Sequence, residues 1–214
     1  MAKLTLVIGN KNYSSLSLRP WVLLRHFEIS FEEILIPLKQ PGTQEKILRY
    51  SPSGKVPLLK ADGVAVWESL PICEYLAELF PGKQLWPSDP EKLAVARCVS
   101  GEMYSGFLGL RTNFPLNVSA SLSGKKSTDD ADRDISRITR IWEDCRGASR
   151  KDGDFLFGGF SVVDAMYAPV VFRFKTYGIN LQGSALEYLQ TMLNLPAMKE
   201  WAQAAAREAY LWPQ

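Results

Sequence analysis

An α/β front half followed by an all-helical back half is the fold class that this sequence predicts. Three features predict it. Strand and helix patterns alternate up to about residue 81, an Asp62-Gly63 dipeptide sits between two short β-rich runs, and only helical spacing follows residue 91.

Residues 3–8 are β-rich and end at Gly9-Asn10, and a polar stretch leads into a helical pattern carrying Trp21, Leu24 and Phe27. Pro20 is expected in that helix's first turn, where a missing N–H costs nothing. Residues 31–36 read as a second strand, closed by Pro37, and a short helix over 44–50 is stopped by Pro52 and Gly54. Residues 56–60 and 64–67 flank Asp62-Gly63, a dipeptide that tolerates positive φ and so predicts a hairpin. The next helix starts at Glu68 or Ser69, with Ile72, Cys73, Leu76, Ala77 and Phe80 on its apolar side and Pro71 in its first turn. The order βαβ, helix, ββ, helix predicts a mixed sheet.

Pro81-Gly82, Pro87 and Pro90 mark residues 82–90 as a linker between units 1–81 and 91–214. Beyond it, Ala96, Val99, Met103, Phe107, Leu110 and Phe114 fall on one helical face, and Ile135, Ile138, Trp142 and Cys145 on another, with a polar loop over 117–130 between them. Ser161-Val162-Val163-Asp164 reads as a capping box with aspartate in the usual Glu/Gln place. A last helix is expected over 197–208.

Composition narrows the function. The 214 residues are 46% apolar and 22% charged, as in an ordinary globular protein. A net charge of +2 is too small to suggest nucleic acid. No long apolar run predicts a membrane span, and the chain opens on a strand pattern rather than a secretory signal, so the expected location is the cytoplasm. Three widely spaced cysteines form neither a C-x-x-C pair nor a metal-ligand pattern, and are expected to be buried free thiols; no metal and no cofactor are expected. His26, the single histidine, argues against a Ser-His-Asp hydrolase.

Four pieces in order carry a resemblance. Tyr13-Ser14-Ser15-Leu16-Ser17-Leu18-Arg19-Pro20 follows the first strand, and Ser51-Pro52-Ser53-Gly54-Lys55-Val56-Pro57-Leu58-Leu59 enters the third. Glu68-Ser69 opens a helix, and Ser161-Val162-Val163-Asp164 is followed by Pro169. Over nearly its whole length the chain resembles the cytosolic glutathione transferase superfamily. The serine run is nearest to the zeta and related bacterial serine-type classes.

The resemblance implies a thioredoxin-like first domain, an all-α second domain, glutathione as co-substrate and a homodimer. Carried over residue by residue, it gives Ser14, with Ser15 second, as the hydroxyl that assists the thiol, while Ser17 is expected only to cap the helix. It implies a cis Val56-Pro57 bond that turns the Val56 backbone toward an incoming peptide. It implies Glu68 and Ser69 on the γ-glutamyl end, and Lys55 and Gln40 near the glycine carboxylate. The physics agrees: a helix N-terminus favours a carboxylate, and an extended peptide pairs with a free strand edge. A thiol of pKa near 8.5 is only about 3% thiolate at pH 7, and a two-unit reduction makes about three quarters of it reactive. Leu16 stands where zeta enzymes carry cysteine, which speaks against maleylacetoacetate isomerisation and leaves the sulfur to be brought by glutathione. The expected reaction is conjugation to an electrophilic, partly apolar small molecule. A glutathione-dependent isomerase or peroxidase, or a non-catalytic interaction module, is the alternative.

Overall fold

The structure is a computed structural model, and it describes residues 3–209. Four strands, β1 (Leu4–Ile8), β2 (Glu32–Leu35), β3 (Leu58–Ala61) and β4 (Val64–Trp67), form one sheet in the order β2-β1-β3-β4. β1 pairs parallel with β2 and antiparallel with β3, and β3 pairs antiparallel with β4, so the sheet is mixed as expected. Around it lie α1 (Ser15–His26), α2 (Thr43–Leu48) and α3 (Ser69–Leu79). The pleat sends Leu4, Leu6 and Ile8 into the main core. It sends Val7 to the opposite face, where it packs with Ile36, Ile47 and Leu58 near α2.

The helical half comprises α4 (Pro90–Ser105), α5 (Leu108–Asn113), α6 (Asp129–Ser149), α7 (Val162–Tyr177), α8 (Gly183–Asn194) and α9 (Pro196–Ala206). α7 is buried on every side and packs on α1, α4 and α8, so one continuous core joins the sheet unit to the helices. The capping box forms as expected. Ser161 Oγ accepts from Val163 N–H at 3.3 Å, and Asp164 Oδ2 accepts from Ser161 N–H at 2.9 Å. Leu156 N–H and Tyr188 Oη–H also donate to Asp164, yet complete burial outweighs these bonds and pushes its pKa up to about 6.

Four expectations need correcting. Pro20 lies inside α1 rather than in its first turn, because the helix already starts at Ser15; burial of Leu18, Trp21 and Val22 offsets the lost backbone bond. The single face from Ala96 to Phe114 is broken, since the chain leaves α4 at Gly106 and turns through Phe107 at φ +58° before α5. All six residues of that face are nonetheless buried. Pro90 is the first residue of α4, capped by Asp89, and not linker punctuation. Cys98 is exposed on α4; only Cys73 and Cys145 are buried, and burial pushes their thiols up to about 12 and about 11.

Candidate functional site

Sheet register gathers the predicted site residues. Val7 pairs with Leu58, and Leu58 with Trp67, so the exit of β1, the entry to β3 and the exit of β4 share one end of the sheet. β2 leaves at that end too, because Ile8 pairs in parallel with Leu35. The Ser14 loop, Val56, Glu68-Ser69 and the Gln40 loop therefore converge, although they are far apart in sequence.

Val56-Pro57 is cis, as the resemblance implies. No backbone hydrogen bond among the described residues reaches Val56 N–H or C=O, which leaves a donor and an acceptor open for an added strand. Gly54, at φ +65°, shapes the approach: a Cβ there would lie 2.3 Å from Gln44 Nε2, which donates to the Gly54 carbonyl. Lys55 is exposed beside Val56, and Gln40 is half-buried, its backbone N–H bonded to Thr43 Oγ1.

Glu68 holds φ +70° and ψ +135°, a backbone region that disfavours any side chain and that costs roughly 1–3 kcal/mol. Its carboxylate accepts from Tyr104 Oη–H at 3.1 Å, across to α4. Burial, then this bond, raises the Tyr104 pKa. Ser69 is buried, opens α3, and accepts from Arg19 Nη1 at 3.1 Å. Among the described residues the Ser69 and Leu70 N–H groups have no backbone acceptor, and Pro71 has no N–H, so the end of α3 presents donors with the positive end of its dipole.

The serine motif that contains Arg19 assigns it no role. Arg19 is buried, donates also to the Met166 and Met103 carbonyls at 3.1 and 3.4 Å, and ties α1 to α3, α4 and α7. Burial, then repulsion from Arg111, lowers its pKa to about 10. A charged residue amid Leu18, Trp21 and Val22 on an apolar helix was the available signal.

Ser14 is the residue before α1, but its side chain does not cap the helix; it donates to Ser17 Oγ at 2.7 Å. Ser17 does not cap either. Its Oγ accepts from Gly9 N–H at 3.1 Å, which corrects the capping role expected of it. Ser15 is half-buried in the first turn and makes no side-chain hydrogen bond among the described residues. The loop before Ser14 is held by the helical half. Glu208, just beyond α9, accepts from Lys11 N–H at 2.5 Å and from Asn12 N–H at 3.0 Å, and Trp201 Nε1 donates to the Lys11 carbonyl at 2.8 Å. Nothing in the sequence pairs residues 11 and 208.

Two concavities lie away from this site. One of about 320 Å³ is bounded by Trp86, Asp89 and Phe160, and one of about 610 Å³ by Leu108, Thr128 and Arg133. Among the described residues no group of three or more His, Cys, Asp or Glu residues is placed to hold a metal ion.

Residues 13–79 match the glutathione S-transferase N-terminal domain, and residues 127–204 match the glutathione S-transferase C-terminal domain. The chain belongs to the glutathione S-transferase family. Its relatives include a maleylacetoacetate isomerase from Rattus norvegicus, 38% identical over 46% of this chain and 47% of that one. Glutathione S-transferase L3 from Arabidopsis thaliana is 30% identical over 74% of this chain and 62% of its own. The chain spans about half the length of the curated isomerase relatives it matches. The glutathione S-transferase fold extends further. A glutathione transferase homolog from Burkholderia, solved with bound glutathione, superposes at TM-score 0.73 and 21% identity over 96% of this chain and 100% of that one. Glutathione transferase Omega 3C from Trametes versicolor gives 0.70 at 20% identity, over 96% and 89%. The thioredoxin-like sheet unit and the helical unit are those of this family.

Proposed function

We propose that the protein is a glutathione transferase, with Ser14 assisting the thiol. The observation that carries this reading is the convergence, at one end of the sheet, of an open Val56 backbone edge, an open α3 N-terminus and the Ser14–Ser17 pair. Glutathione lies along Val56 as a short added strand, its γ-glutamyl carboxylate on the Ser69 N–H and hydroxyl, its ammonium near Glu68, and its glycine end toward Lys55 and Gln40. The thiol then falls beside Ser14.

Hydroxyl protons rotate to suit their partners. Ser14 donates to Ser17 in the structure. On binding the pair reverses: Gly9 N–H donates to Ser17, Ser17 to Ser14, and Ser14 to sulfur. Each bond in such a chain polarises the next. The thiol releases its proton to solvent, the thiolate attacks the electrophilic carbon, and the leaving group departs with its electron pair.

A second reading is a glutathione-dependent isomerase or peroxidase. The maleylacetoacetate isomerases among the relatives favour isomerisation, and Leu16 in the place of the zeta cysteine weighs against it. We further propose a cytoplasmic homodimer. Trp67 on β4 is 43% exposed and Val95 on α4 is 49% exposed, giving a second copy apolar surface to cover. Light scattering should give twice the 24.0 kDa chain mass. Retention on immobilised glutathione, with turnover of a chloronitroarene exceeding that of a hydroperoxide or of maleylacetone, is the expected result. Flow-through of the protein would remove the transferase and isomerase readings together.

A further inference from the structure

We propose that Glu208 is a positioning residue for the serine loop: its carboxylate locks the Lys11 and Asn12 peptides so that Ser14 is presented to the thiol. The inference rests on the transferase reading above.

Nearly every other polar group of the loop has its own partner. The Asn10 carbonyl takes the N–H groups of Tyr13 and Ser14, at 3.1 and 2.8 Å, and Asn10 Oδ1 takes Leu38 N–H at 2.7 Å. The Asn12 carbonyl accepts from Val118 N–H at 3.1 Å, Asn12 Oδ1 from Ser119 N–H at 2.9 Å, and Asn12 Nδ2 donates to Asn117 Oδ1 at 3.0 Å. The N–H groups of Lys11 and Asn12 are two adjacent donors on buried residues. Each meets a different oxygen of Glu208. Two neighbouring peptide N–H groups aimed at one spot suit an anion with two acceptor atoms, which only a carboxylate side chain supplies here.

Burial raises the Glu208 pKa, while the two loop N–H bonds and then the Lys11 cation favour its charged form. Lys11 Nζ bonds Glu33 at 2.5 Å and lies over the Trp21 and Trp201 rings, its cation held close to the loop. Asn10 Nδ2 is buried without a hydrogen-bond partner. Removing Glu208 strands two buried donors, and the loop must shift to solvate them. The contacts on Val56 and Ser69 do not run through this loop, so thiol activation should suffer before glutathione binding does.

The test is amide hydrogen exchange and steady-state kinetics on the full chain carrying Glu208→Ala or Glu208→Gln, with reduced glutathione and 1-chloro-2,4-dinitrobenzene. Glu208→Ala should speed exchange at Lys11 and Asn12 by about a hundredfold. It should lower kcat about tenfold and leave the KM for glutathione within about twofold. Sodium formate should restore part of both losses in Glu208→Ala and change nothing in the wild type. Glu208→Gln keeps one acceptor oxygen and should lose protection at one of the two amides. Unchanged exchange in both variants overturns the inference, as does lost protection with kcat within about twofold of wild type. A wild-type chain that neither binds nor turns over glutathione sinks the transferase reading, and this inference with it.

Discussion

Truncating Ser14 to alanine separates its role in the fold from its role in the chemistry. Its side chain is buried, 7% exposed, and contributes one hydrogen bond, to Ser17. Ser17 keeps Gly9 N–H after the change, so the loop has no reason to move, and the loss of one buried bond costs about 1 kcal/mol. The chemical cost is larger. If the site lowers a thiol pKa from about 8.5 to about 6.5, the hydroxyl and the α1 N-terminus share roughly 2.7 kcal/mol of thiolate stabilisation. Loss of half of it leaves about a quarter of the bound thiol ionised at pH 7, and loss of all of it about 3%. The expected fall in kcat at saturating glutathione and pH 7 is therefore about 3- to 25-fold. The sign is fixed by the direction of the shift. A thiol whose bound pKa is depressed shows its advantage between the two pKa values, and the deficit of Ser14→Ala should close above about pH 9.5, where either thiol is ionised. Ultraviolet thiolate absorbance of the glutathione complex, titrated against pH, reads this directly. An unmoved midpoint in Ser14→Ala would refute the role given to Ser14. A midpoint moved by Ser15→Ala would transfer that role to Ser15, whose lack of a side-chain partner predicts a stability change within about 0.5 kcal/mol.

Other perturbations probe the scaffold. Arg19→Ala should cost about 3 kcal/mol or more by denaturant unfolding, because it removes a buried guanidinium holding Ser69 and two carbonyls on facing helices; Arg19→Lys should not restore the loss, since one ammonium cannot reach all three acceptors as the fork does. Asp164 holds its proton more tightly in the folded state than in the unfolded chain, with a pKa raised from 3.8 to about 6. Its stabilising contribution is thus full in acid, declines as pH rises from about 4 to 6 and then levels off, so the stability difference between wild type and Asp164→Asn should shrink by about 3 kcal/mol over that window. Gly54→Ala should destabilise by about 1 kcal/mol or more through its positive φ and the clash with Gln44; Gln44→Ala should relieve the clash and leave the backbone cost.

Motifs written in a few adjacent residues form as the sequence predicts. Asp62-Gly63 made its hairpin, and the Ser161–Asp164 box closed with both reciprocal bonds, because each is written in a few adjacent residues. The failures at Pro20 and Gly106 concern where a helix starts or breaks, which tertiary burial decides. At Gly106 the apolar spacing ran on smoothly through residues 96–114 while the backbone turned, so the pattern named the core correctly and the element wrongly. α8 is a further helix, its buried Ala185, Tyr188 and Met192 at helical spacing. The motifs mark Val56, Glu68 and Ser69 as candidates, whereas the reach of Arg19 to Met166 and of Glu208 to Lys11 depends on pairings 147 and 197 residues apart. No local pattern encodes such contacts.

The most direct measurement is calorimetric titration of the protein with reduced glutathione, beside Ser69→Ala and S-methylglutathione. Saturable binding of both ligands to the wild type, weakened about tenfold or more by Ser69→Ala, is expected of a carboxylate seated on the α3 N-terminus. Absence of saturable binding at millimolar ligand, or equal affinity in Ser69→Ala, would contradict it.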